Sequence, residues 1–366
     1  MFYINDVKIN NFRCYKSEEF SFSPLCNIII GKNASGKTSL AEAICYLCLG
    51  KSFKSTKDID LIKLDNEYFN IIGHIIDEKT NRIVVGYDKK VKKISFNNKT
   101  IPTISEYVGK YKIITFAPDD LELIKGNPSV RRRFIDMNIC QIDNLYLKTL
   151  MEYKHLLKQR NELLKLDNID YQYLNIITLE LIKRAKYIIE KRKMLVLELN
   201  QYIKTKSLEL TDEKETVYLE YNPNVQIENI ENQFKNDLKL DLLTKTTNNG
   251  PHRDDYNIYI NEKKASIYAS QGQIRTAVLS IKLSISEKFK QNNESMVIIL
   301  DDVFSELDVN RQIKLLESIK TGNQVFITTT DINNLPKSII ESSKIIKIGD
   351  GEKDEWQREQ RNNSYC

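Results

Sequence analysis

Gly31-Lys32-Asn33-Ala34-Ser35-Gly36-Lys37-Thr38 fits the pattern G-x-x-x-x-G-K-[ST], and no other part of the chain constrains the fold as tightly. The pattern makes physical sense in one setting: a buried strand, a glycine turn, and a helix whose first N–H groups are left unpaired. The flanks supply that setting. Asn27–Ile30 is an apolar, β-branched run that reads as a strand. Leu40, Ala43, Ile44 and Leu47 recur at spacings of three and four, so a helix with one apolar face is expected after the turn. The glycines let backbone N–H groups turn inward around a phosphate, and the helix N-terminus adds a partial positive charge. All eight residues are therefore expected to bind a nucleotide. Lys37 would reach the β- and γ-phosphates, and the Thr38 hydroxyl would ligate Mg²⁺. A plain glycine turn ahead of a helix is the competing reading.

Two later segments agree with the first. Met296–Leu300 is an apolar strand that ends in Asp301-Asp302. Such a strand is expected to lie next to the strand of the glycine turn. Asp301 would then reach the Mg²⁺ shell, and Asp302 would act as general base toward water. An acidic turn after a strand is the bland alternative. Ser270-Gln271-Gly272-Gln273, ahead of a helix pattern over Arg275–Phe289, offers small residues at a helix start and reads as an anion-binding nest.

Glycine punctuation divides the chain. The 366 residues contain 12 glycines, and none lies between Gly126 and Gly250. A span without breakers can be helical throughout. Apolar residues at helical spacing run through Leu150–Leu164, Tyr173–Ile203 and, more weakly, Ile227–Leu238. Strand patterns precede the span at 68–76, 82–87, 93–97 and 111–116, and others follow it at 265–268, 297–300 and 324–328. The expected organisation is an α/β lobe whose N-terminal half is 1–125, an inserted helical lobe 126–249, a C-terminal half 250–348, and a polar tail 349–366.

Composition adds limits. With 55 basic and 50 acidic residues the net charge is +5, which permits nucleic-acid binding without arguing for it. The apolar runs are far too short to span a membrane, and Asp6 and Lys8 stand where a signal peptide would be apolar. A cytoplasmic protein is expected. Cys45 and Cys48 form a CxxC without a second pair, which reads as buried thiols on one helix face. Arg131-Arg132-Arg133 is the densest basic run, and Lys183, Arg184, Lys186, Lys191, Arg192 and Lys193 form a second. Either could meet DNA phosphates; internal pairing for the first and a solvated helix face for the second are the alternatives.

The order of these motifs resembles an ABC-type ATPase. Ser270–Gln273 resembles the signature loop, with Gln271 where glycine is usual, and Ser305-Glu306-Leu307-Asp308 resembles the D-loop. More than two thirds of the chain separates Lys37 from Asp301, unlike transporter ATPases and like the SMC-like branch. Within that branch the chain resembles the RecF family from its first residues to about Asp331. The resemblance is carried by Phe12-Arg13-Cys14-Tyr15, Gly50-Lys51-Ser52-Phe53, Phe116–Leu121, Arg131–Asp136, Gln159-Arg160-Asn161 and Gly250–Asp255. No histidine follows Gln324–Thr328; Thr329, Thr330 and Asp331 stand there.

The fold so implied is a P-loop ABC-type ATPase head lobe with an inserted helical lobe. The resemblance further implies an ATP-driven homodimer in which Ser270, Gly272 and Gln273 of one copy contact the γ-phosphate held by the other. It implies binding to single- and double-stranded DNA at junctions or gaps, with RecR as partner and RecO and RecA downstream. Slow, DNA-stimulated ATP hydrolysis triggered by Asp302 would release the dimer. Arg13 would touch the nucleotide. The ATPase subunit of a membrane transporter is the alternative function, and an SMC-like rod protein a third.

Overall fold

The computed structural model describes residues 1–291 and 294–349. Apart from Gly349, the polar tail with Trp356 lies outside the described residues. In chain order the strands are β1 (Tyr3–Phe12), β2 (Tyr15–Ser21), β3 (Cys26–Ile30), β4 (Phe69–Ile76), β5 (Thr80–Tyr87), β6 (Lys92–Phe96) and β7 (Lys99–Thr100). They continue with β8 (Lys112–Phe116), β9 (Val217–Asn222), β10 (Asp255–Ile260), β11 (Lys263–Lys264), β12 (Met296–Asp301), β13 (Gln324–Thr329) and β14 (Ser343–Lys347). The helices are α1 (Lys37–Leu49), α2 (Glu122–Lys125), α3 (Pro128–Ile142), α4 (Asn144–Leu163), α5 (Tyr171–Thr211) and α6 (Ile230–Asn236). They end with α7 (Leu238–Thr244), α8 (Ala265–Tyr268), α9 (Gln271–Gln291), α10 (Val309–Lys320) and α11 (Lys337–Glu341). The segment 265–268, expected as a strand, is the short helix α8, which packs against β10.

A parallel sheet in the order β14-β3-β13-β12-β8 carries the chemistry. Every residue of β12 and β13 is buried, as the continuous apolar runs of a covered parallel sheet require. Each fully buried aliphatic side chain there contributes about 1.5–3 kcal/mol. An antiparallel sheet in the order β2-β1-β4-β5-β6-β7 lies across α1 from it. The helix is thus held between two sheets, touching β8, β12 and β13 on one side and β1, β4 and β5 on the other. This corrects the expectation of one apolar face: Glu42 is as buried as Leu40 and Leu47, and the thiols of Cys45 and Cys48 are buried as expected. The approach is close enough that a Cβ on Gly73 of β4 would come within 2.3 Å of the Leu47 side chain.

The strand order also corrects the sequence reading. The Asp301 strand does not neighbour the P-loop strand, because β13 runs between β3 and β12 and pairs with both.

The glycine-free span is not helical throughout either. It contains β9, which pairs antiparallel with β10 after the span. Within it, α4 and α5 lie antiparallel, since Arg184 meets Glu152 while Tyr187 and Lys191 meet Asp143. The 41 residues of α5 extend roughly 60 Å at 1.5 Å per residue. Its later half packs on α9, with Glu198 paired to Lys288 at 2.8 Å. The arm therefore rejoins the α/β half that follows it.

The root of this arm is a buried polar hub. Arg192 of α5 forks onto both oxygens of Asp136 at 3.0 Å and donates to Asp254 Oδ2 and the Pro251 carbonyl at 2.7 Å. Asp254 also accepts from the Tyr221 hydroxyl and the Asn224 N–H. Arg192, read as part of a run that either meets DNA or forms a solvated helix face, is instead fully enclosed, whereas Lys183 and Lys193 of the same run are exposed. Beside the hub, His252 sits between the Tyr153 hydroxyl (2.6 Å from Nδ1) and the Thr247 carbonyl (3.0 Å from Nε2). A carbonyl only accepts, so Nε2 carries the proton and Nδ1 accepts from Tyr153.

Burial lowers the His252 pKa to about 4. The unfolded chain then binds a proton near pH 6.5 that the folded chain refuses until about pH 4. The stability from this group is present above pH 6.5 and is lost as pH falls to about 4, by about 3 kcal/mol in all. Urea unfolding at pH 7 and pH 4.5 should show wild type losing about 2–3 kcal/mol more than His252→Gln. Equal losses would exclude this role.

Candidate functional site

The glycine turn leaves β3 after Ile30 and enters α1 at Lys37. Ala34 (φ 62°) and Gly36 (φ 110°) lie in the left-handed region, which bends the loop back on itself. Gly36 also has no room for a side chain, since a Cβ there would come within 2.8 Å of the Tyr15 hydroxyl and 2.9 Å of Cys14 Sγ. Tyr15 donates to the Gly36 carbonyl at 3.0 Å, so the β1–β2 turn braces the loop. On the other flank the Ile348 N–H donates to the Ile30 carbonyl at 2.8 Å. Asn33 at the loop's crest is exposed, and Ser35 Oγ is buried with no hydrogen-bond partner among the described residues.

Lys37 folds over the loop, donating from Nζ to the carbonyls of Gly31 (2.6 Å) and Lys32 (2.8 Å). Its pKa is lowered chiefly by burial, against the opposing pull of Asp302 and Asp301. Those two carboxylates are therefore its electrostatic neighbours, although they come from the far end of the chain.

The contact that closes the site joins Thr38 Oγ1 to Asp301 Oδ1 at 3.0 Å. The same carboxylate oxygen accepts the Thr328 hydroxyl at 2.8 Å. Burial raises the Asp301 pKa, and the Thr328 and Thr38 hydrogen bonds counter that shift. Asp302 follows at φ 54°, a left-handed conformation that costs a non-glycine residue about 1 kcal/mol or more and that Asp tolerates better than most. Its N–H donates to Thr328 Oγ1 at 2.9 Å.

The donor set suits a hard divalent cation. A hydroxyl and a carboxylate, both oxygen donors and already in contact, would hold Mg²⁺ here. The loop suits a phosphate chain: its backbone curls through two left-handed residues into a helix N-terminus, with an ammonium group alongside.

Ser270 and Gln273 form a reciprocal capping box at the start of α9. The Ser270 N–H donates to Gln273 Oε1 at 3.0 Å, and the Gln273 N–H to Ser270 Oγ at 3.3 Å. Gly272 meets open space, with no atom of the described residues within 4 Å of an added Cβ. One turn on, Arg275 lies 3.0 Å from Glu306 of the D-loop segment, and Ser305 donates to the Asp302 carbonyl at 2.9 Å. The signature-like loop is thus an exposed, pre-shaped helix start linked by its own helix to the segment after Asp302.

The basic run points inward. Arg131 is bidentate on Asp255 (2.7 and 3.0 Å), Arg132 donates to the Asp254 carbonyl (2.7 Å), and Arg133 to the carbonyls of Ser52 (2.9 Å) and Ser55 (3.2 Å). Arg13 is bidentate on buried Glu42 at 2.7 and 2.9 Å. Residues that the sequence reading missed include Tyr15, Thr328 and Lys282, which pairs at 2.5 Å with Asp120 just after β8. Thr328 directly follows the apolar run Val325–Ile327 and opens a run of three threonines, so residue type alone did not set it apart from Thr329 and Thr330.

A family model described as an AAA ATPase domain matches residues 2–358. A curated relative, the DNA replication and repair protein RecF of Streptococcus pneumoniae (strain CGSP14), is 39% identical over 360 residues, covering 95% of this chain and 98% of the relative. Among solved structures, the recombination mediator protein RecF-ATP of the RecFOR pathway matches with a TM-score of 0.85 at 34% identity, over 92% of this chain and 94% of that one. The Smc head domain of Pyrococcus furiosus, bound to the C-terminal domain of ScpA, matches with a TM-score of 0.52 at 19% identity, over 95% of this chain and 93% of that one. The last likeness is one of fold.

Proposed function

This chain belongs to the RecF family of DNA replication and repair proteins, and from that premise we propose that it is an ATP-dependent DNA-binding recombination mediator. ATP binding drives two copies together head to head. The dimer binds DNA at single/double-strand junctions or gaps and, with RecR and RecO, helps load RecA. Slow hydrolysis resets it, so ATP acts as a switch. One observation carries this reading: the Thr38 hydroxyl and the Asp301 carboxylate meet at 3.0 Å across 263 residues, which makes a single site of the two nucleotide motifs. The transporter-subunit alternative gives way to the family assignment.

Bound Mg²⁺·ATP would supply the phosphoanhydride bond and a Lewis acid at its phosphates. The chain does the rest. Backbone N–H groups of Gly31–Thr38 cradle the phosphates, and Lys37 exchanges its two loop carbonyls for phosphate oxygens. Thr38 and Asp301 would hold the metal, and Asp302 would take the proton of the attacking water. Ser270, Gly272 and Gln273 of the second copy close the site, with the capping box holding their loop in shape. For DNA, Arg131, Arg132 and Arg133 would have to leave partners within the fold. Lys183 and Lys193, exposed on α5, are the freer candidates.

The test compares DNA affinity and dimerisation with and without ATP in wild type, Lys37→Ala and Ser270→Arg. Loss of the Lys37 ammonium should weaken ATP binding about 10- to 100-fold, the worth of a charge-assisted contact. Ser270→Arg should keep ATP binding and lose ATP-driven dimerisation. Normal dimerisation by Ser270→Arg would sink the composite site. DNA affinity that does not fall as salt rises would sink the phosphate-contact reading.

A further inference from the structure

We propose that Thr328 is a positioning residue for ATP hydrolysis, one hydroxyl that sets both members of the Asp301-Asp302 pair. The proposal rests on the reading of Asp302 as general base.

Thr328 lies near the end of β13, the strand between β3 and β12, and is 1% exposed. A hydroxyl offers one proton and two lone pairs. Here the proton goes to Asp301 Oδ1 at 2.8 Å, and a lone pair takes the Asp302 N–H at 2.9 Å. Its neighbour Thr329 behaves as a buried threonine usually does, bonding within its own turn to the Asp331 carbonyl and N–H. Thr328 instead spends its hydrogen bonds on the adjacent strand.

Two consequences follow. Asp302 sits at φ 54°, a conformation a non-glycine residue keeps only when its surroundings hold it, and the Thr328 hydrogen bond is the hold on its N–H. Asp301 Oδ1 shares its other hydrogen bond with Thr38, whose hydroxyl is the one assigned to the metal. When that hydroxyl turns away, Thr328 keeps the carboxylate aimed. Both effects bear on the geometry of the reacting groups and leave the phosphate cradle alone.

The experiment measures steady-state ATP hydrolysis and ATP affinity in wild type, Thr328→Val, Thr328→Ser and Asp302→Asn. Valine keeps the β-branched shape and removes the hydroxyl; serine keeps the hydroxyl and removes a methyl. Thr328→Val should lower kcat about tenfold or more with ATP affinity within about threefold, since one buried hydrogen bond and the aim of the base are lost. Thr328→Ser should recover most of the rate despite its smaller side chain. A wild-type rate in Thr328→Val overturns the proposal while leaving Asp302 as base. Equal losses in the valine and serine variants, tracking a lower Tm, show packing alone and also overturn it. A wild-type rate in Asp302→Asn removes the base reading, and the proposal falls with it.

Discussion

Replacing Arg192 with alanine should destabilise the protein by about 3–5 kcal/mol, because it strands two buried carboxylates. The guanidinium is 2% exposed and lies between Asp136 and Asp254, the latter fully enclosed. Asp254 has no exposed surface and Asp136 little through which to regain water when the arginine is cut away. Tyr146, Tyr221 and Asn224 would still donate to them, but no cation would remain among the groups that now contact them. Arg192→Lys should recover only part of the loss, since an ammonium cannot fork across both aspartates. Arg192→Met combined with Asp136→Asn and Asp254→Asn should be milder than Arg192→Ala alone, because uncharged amides are cheaper to bury than unpaired carboxylates. Urea unfolding of the series measures this. A triple variant no better than the single one would show that the hub acts through shape and not charge. The effect should reach the whole molecule, as this hub joins α3, α5 and the start of β10.

Asp302→Asn should slow ATP hydrolysis by about 100- to 10,000-fold, the usual worth of a general base, and leave ATP binding within a few-fold of wild type. Asparagine suits the comparison because it tolerates the left-handed backbone at φ 54° as aspartate does. The exchange therefore removes basicity and little else. Alanine at the same place would add backbone strain and blur the reading. The ATP-driven dimer of this variant should outlive that of wild type, since hydrolysis is the proposed release. Single-turnover hydrolysis together with dimer lifetime in ATP measures both. An unchanged hydrolysis rate would assign the base elsewhere.

Much of the site could be read directly from residue type and spacing. Gly31, Gly36, Lys37 and Thr38 have few other uses in that order, and a carboxylate pair at the end of an apolar strand has a limited set of roles beside them. Local physics suffices there, because a turn, a helix start and a strand end are each decided within a few residues. What could not be read is what depends on the crossover connections. All the strands of a covered parallel sheet are apolar runs, so their composition does not say which neighbours which. That is why β13 was not expected between β3 and β12, and why Thr328 went unnoticed as a partner of Asp301. The arginines were undecided for a different reason. A basic run looks alike whether it faces DNA or an aspartate 124 positions away, as Arg131 faces Asp255.

For α1 the sequence showed a helix with an apolar stripe, and only the antiparallel sheet laid across its second side shows why Glu42 and the two cysteines are enclosed as well. The Gly126–Gly250 gap suggested a long helical insertion, but not that β9 pairs with β10 beyond the gap or that the later half of α5 packs on α9. By itself the sequence picked out the two motifs that the fold brings into contact and the order of the elements that carry them, because backbone and capping preferences act over a few residues. The tertiary structure alone decided which groups aim and brace them — Tyr15 on Gly36, Thr328 on the aspartate pair, Arg192 under the arm — because hydrogen bonds between elements far apart in sequence form only once burial has removed water as the competing partner.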